Sequence, residues 1–145
     1  MFRFSEAAKG VAGSVEVPQE YVEGLKDVEG FSHLILVYHF HLAQPYSLLV
    51  TPFMDKKRHG VFATRAPSRP NPIGVSIVRF TKIEQNMLHI QDVDILNGTP
   101  LLDIKPFVPE FDQRKAERIG WLEKKAKKMY SSRDDGRFTK NVGQR

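Results

Sequence analysis

Cysteine is absent from the 145 residues. Its absence excludes a disulfide framework, thiolate metal ligands and a cysteine nucleophile, and it suits a reducing, cytoplasmic setting. Long apolar runs are missing too: no stretch approaches the ~18 residues a membrane span needs. Residues 1–10 are polar, carry Arg3, Glu6 and Lys9, and lack the apolar centre of a secretion signal. There is no glycine-rich turn between a strand and a helix, no Walker lysine loop, and no strand–helix alternation of the dinucleotide-binding kind. A nucleotide-like cofactor would therefore be held without a phosphate cradle.

What is present is an ordinary globular composition. Hydrophobic residues make up 41% and charged residues 27%, which permits one packed domain. The net charge of +5 is unevenly placed. Residues 114–145 hold 11 Lys/Arg against 4 Asp/Glu, whereas residues 1–113 hold 11 against 13. A basic C-terminal segment fits a polyanionic partner, RNA before membrane, or a merely solvated helix and tail.

Along the chain the pattern is mostly β. Residues 11–17 alternate loosely as a strand, and residues 19–28 place Tyr21, Leu25 and Val28 at helical spacing before Gly30. The dense β-branched and aromatic run at residues 31–40 predicts a central strand buried on both faces. Residues 43–57 form a loop broken by Pro45 and Pro52, with a short strand possible at 48–50, and 59–64 is a further short strand. Residues 74–84 and 87–95 flank Gln85-Asn86 as a hairpin. Asn97-Gly98 marks a turn before a short strand at 101–104. Residues 110–129 predict one long helix, with Ile119, Leu122, Ala126 and Met129 as its apolar stripe. The expectation is a small β-barrel over residues 1–130, with short helical insertions and one C-terminal α-helix, followed by a basic, disordered tail at 131–145.

Two segments concentrate chemistry. RHGVFATRAPSRPNPIG, residues 58–74, holds three arginines and three prolines. Irregular backbone leaves its polar groups free for a ligand, and proline shapes it in advance. Arg65 and Arg69 are planar, permanently charged donors suited to carboxylate or phosphate. A proline-rich loop packed on a barrel end with solvated arginines explains the same residues. The second segment, residues 94–109, contains an Asn97-Gly98-Thr99 turn that would expose amides and a hydroxyl. It also places Asp103 and Lys105 on one strand face, where they could orient an amine, shuttle a proton, or form a simple charge pair. His39 and His41 share a strand face, but two ligands do not make a metal site, and none is expected. Trp121 and Phe138 could stack on bases or serve as core.

RHGVFATRAPSRPNPIG and the following NGTPLLDIKPFVP strongly resemble the TsaA/TrmO family, the β-barrel S-adenosylmethionine-dependent tRNA N6-adenine methyltransferases. FSHLILVYHFH (residues 31–41) is similar to the family's preceding strand, and VEGLKDVEGFSH to the segment before it. The likeness spans roughly residues 11–110. It implies S-adenosylmethionine as cofactor, a homodimer with the cofactor near the subunit interface, and methylation of N6 of threonylcarbamoyladenosine at position 37, in the tRNA anticodon loop. It further implies cofactor contacts from His41, Leu42, Arg65, Val75, Asn97, Gly98, Thr99 and Pro100, with Asn97 replacing the commoner aspartate. The family's usual first strand and the loop after it have no counterpart before the FRFSEAA segment, so the barrel is expected to lack a strand and to have an open edge.

The N6 of a carbamoylated adenine is a poor nucleophile, so something must take its proton or stabilise the anion. Side-chain chemistry and motif position nominate Asp103 as proton acceptor, Lys105 or Arg69 as anion stabiliser, and Asn71 as the amide that orients the base. The competing readings are a non-catalytic module that binds S-adenosylmethionine or RNA, and a small-molecule methyltransferase on the same barrel.

Overall fold

The structure, a computed structural model, describes residues 2–6, 12–53 and 55–125. It is mostly β and antiparallel. The strands are β1 (Phe2–Glu6), β2 (Gly13–Glu16), β3 (His33–His39), β4 (Leu49–Val50), β5 (His59–Gly60), β6 (Ile73–Glu84), β7 (Met87–Gln91) and β8 (Pro100–Pro106). Six of them pair in the cyclic order β1-β2-β7-β6-β3-β8, and β1 closes the ring against β8 through Phe2↔Leu101 and Arg3↔Pro100. Strands β4 and β5 form a separate two-stranded ribbon.

The expected open edge is therefore occupied. Residues 2–6 pair with β2 on one side and β8 on the other. The hairpin at Gln85-Asn86 forms as expected, with Gln85 in the left-handed region at φ 55°. Strand β3 differs from its expectation. Leu34, Leu36 and Tyr38 are buried, while His33, Ile35, Val37 and His39 are only half-buried. A strand whose outer face is uncovered by helices alternates, and among the described residues of this unit no helix lies across it.

The core fills the inside of the ring. Val15, Leu34, Leu36, Val78, Leu88, Ile90 and Leu101 are almost wholly buried there. In place of the helix expected at 19–28 there are two 3-10 turns, Gln19–Leu25 and Val28–Gly30. They set Leu25 and Val28 against the core. Between β3 and β8 the register shifts at Val37/Tyr38, so Leu102 is left as the extra residue and Tyr38 and Leu101 both face inward. A bulge of this kind re-aims side chains at a barrel rim.

The chain divides into two compact units, Met1–Asp112 and Gln113–Arg145. The long helix expected at 110–129 does not form as one element. Helix α1 (Pro109–Asp112) is a single turn, closed by the Val108 N–H donating to the Asp112 carboxylate at 2.7 Å. In the second unit residues 113–119 are not helical, Gly120 takes φ 61°, and a 3-10 turn, Gly120–Leu122, precedes a helical start at residues 123–125. A left-handed residue cannot continue a right-handed helix, so Gly120 interrupts the periodic stripe. Trp121 is half-buried. Ala126, Met129, Phe138 and the tail at 131–145 lie outside the described residues. Among the described residues no helix is long and apolar enough to cross a membrane.

Candidate functional site

At one end of the barrel, three segments converge around a cavity of about 330 Å³. Tyr38 and Phe40 come from the end of β3, followed by residues 41–44. Pro67 and Ser68 come from the proline-rich loop, and Asp94, Ile95, Leu96 and Thr99 from the segment before β8. Both segments singled out by sequence therefore reach one hollow, with the β3 end as its third wall.

Local chemistry explains the convergence. The Phe40 N–H donates to the Pro72 carbonyl at 2.7 Å, which ties the exit of β3 to the entry of β6. Prolines 67, 70 and 72 cannot donate to a ladder, so the intervening backbone stays irregular. Arg69 Nη1 donates to the carbonyls of Thr64 (2.9 Å) and Ala66 (3.3 Å), bracing the loop from within. On the other side Asp92, at φ 62°, turns the chain across the rim, and Ile95 plugs the barrel end. The turn at residues 96–99 closes through the Thr99 N–H and hydroxyl, which both donate to the Leu96 carbonyl, at 3.2 and 2.6 Å. Gly98 supplies the φ of 79° that this turn requires.

Thr99 departs from its expectation. Its hydroxyl is turned back onto the chain and the residue is 3% exposed, so it shapes the wall rather than presenting a free hydroxyl.

Two lining residues, Tyr38 and the exposed Asp94, are joined through Ser76 in a trio that sequence reasoning missed. Tyr38 Oη lies 2.9 Å from Ser76 Oγ, and Ser76 Oγ lies 2.7 Å from Asp94 Oδ1. Serine has one proton, and a carboxylate only accepts, so the direction is fixed: Tyr38 donates to Ser76, and Ser76 donates to Asp94. Burial pushes the Tyr38 phenol above its ordinary value; the Asp94 charge adds to that, and the bond to Ser76 partly opposes it. The phenol thus stays protonated as the donor at neutral pH. One Asp94 oxygen is held by Ser76, and the carboxylate opens on a largely apolar, aromatic hollow.

The nominated residues fall into three groups. His41, Leu42 and Thr99 line the cavity. Arg65, Asn97, Gly98 and Pro100 stand on the same loops without lining it, and Arg69 is engaged in bracing its own loop. Asn71 is exposed at the entry to β6. Val75 faces outward, 60% exposed, and Asp103 and Lys105 pair with each other at 2.6 Å elsewhere on the barrel. The hydrogen bond from Lys105 holds the Asp103 carboxyl below its usual range, against the opposing effect of its slight burial. His39 is half-buried on β3 whereas His41 lies in the turn beyond it, so the two do not share a strand face.

Because the folded-state value of Asp103 is depressed, its stabilising effect is present above the unfolded carboxylate value, near 4, and is lost as pH falls through the folded value. The pair is half-exposed. Asp103→Asn should therefore cost under about 1 kcal/mol at pH 7, and nothing at a pH where both states are protonated. Urea melts at the two pH values check this.

The tRNA-methyltransferase O N-terminal domain model matches residues 3–113. The chain belongs to that family. The tRNA-methyltransferase O match covers the first compact unit from its third residue and ends one residue past it. Relatives within the family include a "probable S-adenosyl-L-methionine-binding protein" of Pyrococcus abyssi, 63% identical over 92% of this chain and 73% of its own length. Another is the human tRNA (adenine(37)-N6)-methyltransferase, 36% identical over 61% of this chain and 21% of its own. The crystal structure of TrmO from Pseudomonas aeruginosa superposes with a TM-score of 0.63 at 41% identity, covering 77% of this chain and 47% of that one. The chain thus spans about half the length of the solved TrmO chain it matches.

Proposed function

We propose that this protein binds S-adenosylmethionine in the rim cavity and methylates N6 of an adenine in tRNA, with threonylcarbamoyladenosine at position 37 of the anticodon loop as the favoured target. The observation that carries the reading is the cavity itself: a largely apolar hollow with two aromatic rings, Tyr38 and Phe40, and one oriented carboxylate, Asp94. The donor set suits a ligand that joins a purine to positive charge, because rings stack on a purine and a carboxylate answers an ammonium or sulfonium. Its volume of about 330 Å³ lies at the lower end for small-molecule sites. Family membership and the names of the P. abyssi and human relatives support the same reading.

When bound, S-adenosylmethionine supplies an electrophilic methyl group. The residues of the chain do the rest. Tyr38 and Phe40 would hold the purine, and His41 and Leu42 would border it. The turn at residues 96–99 forms the opposite wall. Asp94, kept in place at Oδ1 by Ser76, accepts and holds the proton of the target amine at its other oxygen. We assign this role to Asp94 rather than to Asp103, which pairs with Lys105 away from the cavity.

A homodimer belongs to the proposal. Ile73, Val75 and Ile77 lie along the outer face of β6, exposed by 45, 60 and 51%. Ile35 and Val37 lie beside them on β3, in register with Ile77 and Val75. A second copy covering this stripe would remove apolar surface from water and would bring Val75 toward a neighbour's site.

A second reading, a binding module without turnover, is favoured by relatives named for binding alone, among them the S-adenosyl-L-methionine-binding protein of Archaeoglobus fulgidus, 40% identical over 76% of this chain. One assay separates the two. The protein is incubated with methyl-labelled S-adenosylmethionine and tRNA with or without threonylcarbamoyl at position 37. Label in N6 of that adenosine supports the enzyme. Calorimetric binding of the cofactor with no label in any tRNA supports the module.

A further inference from the structure

We propose that the excursion between β3 and β6, residues 45–66, is a platform on which unpaired bases of the RNA substrate stack. The inference rests on the tRNA reading above and assigns the surface that would read the nucleic acid. Its stems are the walls of the cavity: residues 42–44 lead into it, and Pro67 and Ser68 receive it. Whatever lies on the excursion lies at the mouth of the site.

The excursion is built as a small ribbon. Leu49 pairs with Gly60 and Val50 with His59, and the Val61 N–H donates to the Leu48 carbonyl at 2.9 Å. Val61 is its buried anchor. Asp55 closes the tip, accepting from the Lys56 N–H at 2.7 Å and meeting His59 Nε2 at 2.8 Å. On this braced frame the aromatic side chains point to solvent: Phe53 is fully exposed, Phe62 is 76% exposed and Tyr46 54%. Aromatic rings held outward on a hydrogen-bonded ribbon cost free energy in water and are retained where something flat covers them.

Charge identifies the cover. Residues 41–72 hold five basic side chains (Lys56, Lys57, Arg58, Arg65 and Arg69) against one acid, Asp55. The other residues up to 113 hold six basic side chains against twelve acidic ones. The excursion and its stems are thus a positive island on an otherwise acidic unit, with Lys56, Lys57 and Arg58 all exposed beside Phe53. Exposed rings interleaved with lysine and arginine are the chemistry of single-stranded nucleic acid, where bases stack and phosphates meet cations. A lipid surface is the lesser fit, since the described residues of the excursion form no amphipathic helix to lay on it.

The test compares binding of the full chain, by fluorescence anisotropy, to a labelled RNA stem-loop with an unpaired loop and to a fully paired RNA of the same length. Stacking of a base on an aromatic side chain is worth about 1–3 kcal/mol. Phe53→Leu/Phe62→Leu keeps apolar bulk and removes the rings, and should weaken loop binding at least ~30-fold with duplex binding changed less than about twofold. Lys56→Gln/Lys57→Gln should weaken both RNAs and lower the salt slope by about 1.4 for the loop. Cofactor affinity, measured by calorimetry, should be unchanged in both. Undiminished loop binding by the leucine variant overturns the proposal, as does an equal loss on duplex. So does binding to mixed phosphatidylcholine–phosphatidylserine vesicles that the leucine variant alone abolishes. A protein that methylates tRNA while its leucine variant binds and methylates equally well sinks the platform alone. A protein whose rings govern loop binding but which methylates no RNA sinks the enzyme reading and leaves the platform standing.

Discussion

Gly74→Ala is expected to destabilise the first unit by about 3 kcal/mol, at the upper end for overpacking a core with a single methyl. A Cβ at this position would stand 2.6 Å from Tyr38 Cζ and 2.7 Å from Phe40 Cζ. Neither ring is a loose end that can swing away. Tyr38 is 6% exposed, donates to Ser76, and packs edge-to-face on Phe40 with centroids 5.4 Å apart. Displacing Tyr38 breaks its bond to Ser76 and moves the wall of the cavity at the same time. At roughly 4 °C or more per kcal/mol for a unit of this size, the melting temperature should fall by more than about 10 °C. Ligand affinity should fall with it. A melting temperature within two degrees of the parent would show that the rings give way freely and that glycine is not required there.

The same glycine shows where sequence reading fell short. Along β6 the set Ile73, Val75, Ile77, Arg79 and the set Gly74, Ser76, Val78, Phe80 are both mixed, so hydrophobicity alone does not say which faces the core. The second set faces inward. The interior is arranged about a tyrosine on the neighbouring strand: glycine makes room for its ring, and serine answers its hydroxyl. That pairing is legible only once Tyr38↔Gly74 and Leu36↔Ser76 are known to be opposite each other. A cross-strand register between residues nearly forty apart leaves no local mark. Ile73, Val75 and Ile77, left outside, become the stripe that a second copy would cover.

Other features were legible because their causes are local. The hairpin at Gln85-Asn86, the turn at Asn97-Gly98 and the irregular proline loop each follow from the conformational limits of two or three residues. The long basic helix failed for a related reason. Its apolar stripe has helical period, but residues 113–119 are not helical and Gly120 sits inside the stripe at positive φ, so the period alone does not make a helix. Motif position located two walls of the cavity, and the carboxylates of the second motif fall in different places. Asp103 and Lys105, adjacent on an edge of the motif, satisfy one another, while Asp94 at the motif's first residue is the carboxylate on the cavity.

Asp94→Asn gives the largest effect expected on function. The amide oxygen can still accept from Ser76 at the position of Oδ1, so the trio and the fold should persist, with a melting temperature close to the parent's. What is lost is charge and basicity. A hydrogen bond to a charged partner contributes about 1.5–3 kcal/mol. The affinity for S-adenosylmethionine, read by calorimetry, should therefore fall on the order of 10- to 100-fold. Loss of a positioned proton acceptor lowers a rate by about 10²–10⁴-fold, so methyl transfer at saturating cofactor should drop by that factor. Ser76→Ala separates placement from chemistry. It keeps the carboxylate and removes its tether, and should cost the rate about tenfold, the equivalent of one hydrogen bond. An Asp94→Asn protein that binds the cofactor and transfers methyl as the parent does would remove Asp94 from the site. A large effect of Asp103→Asn in the same assay would return the role of proton acceptor to Asp103, and with it the working surface to the face of the barrel where Asp103 and Lys105 pair.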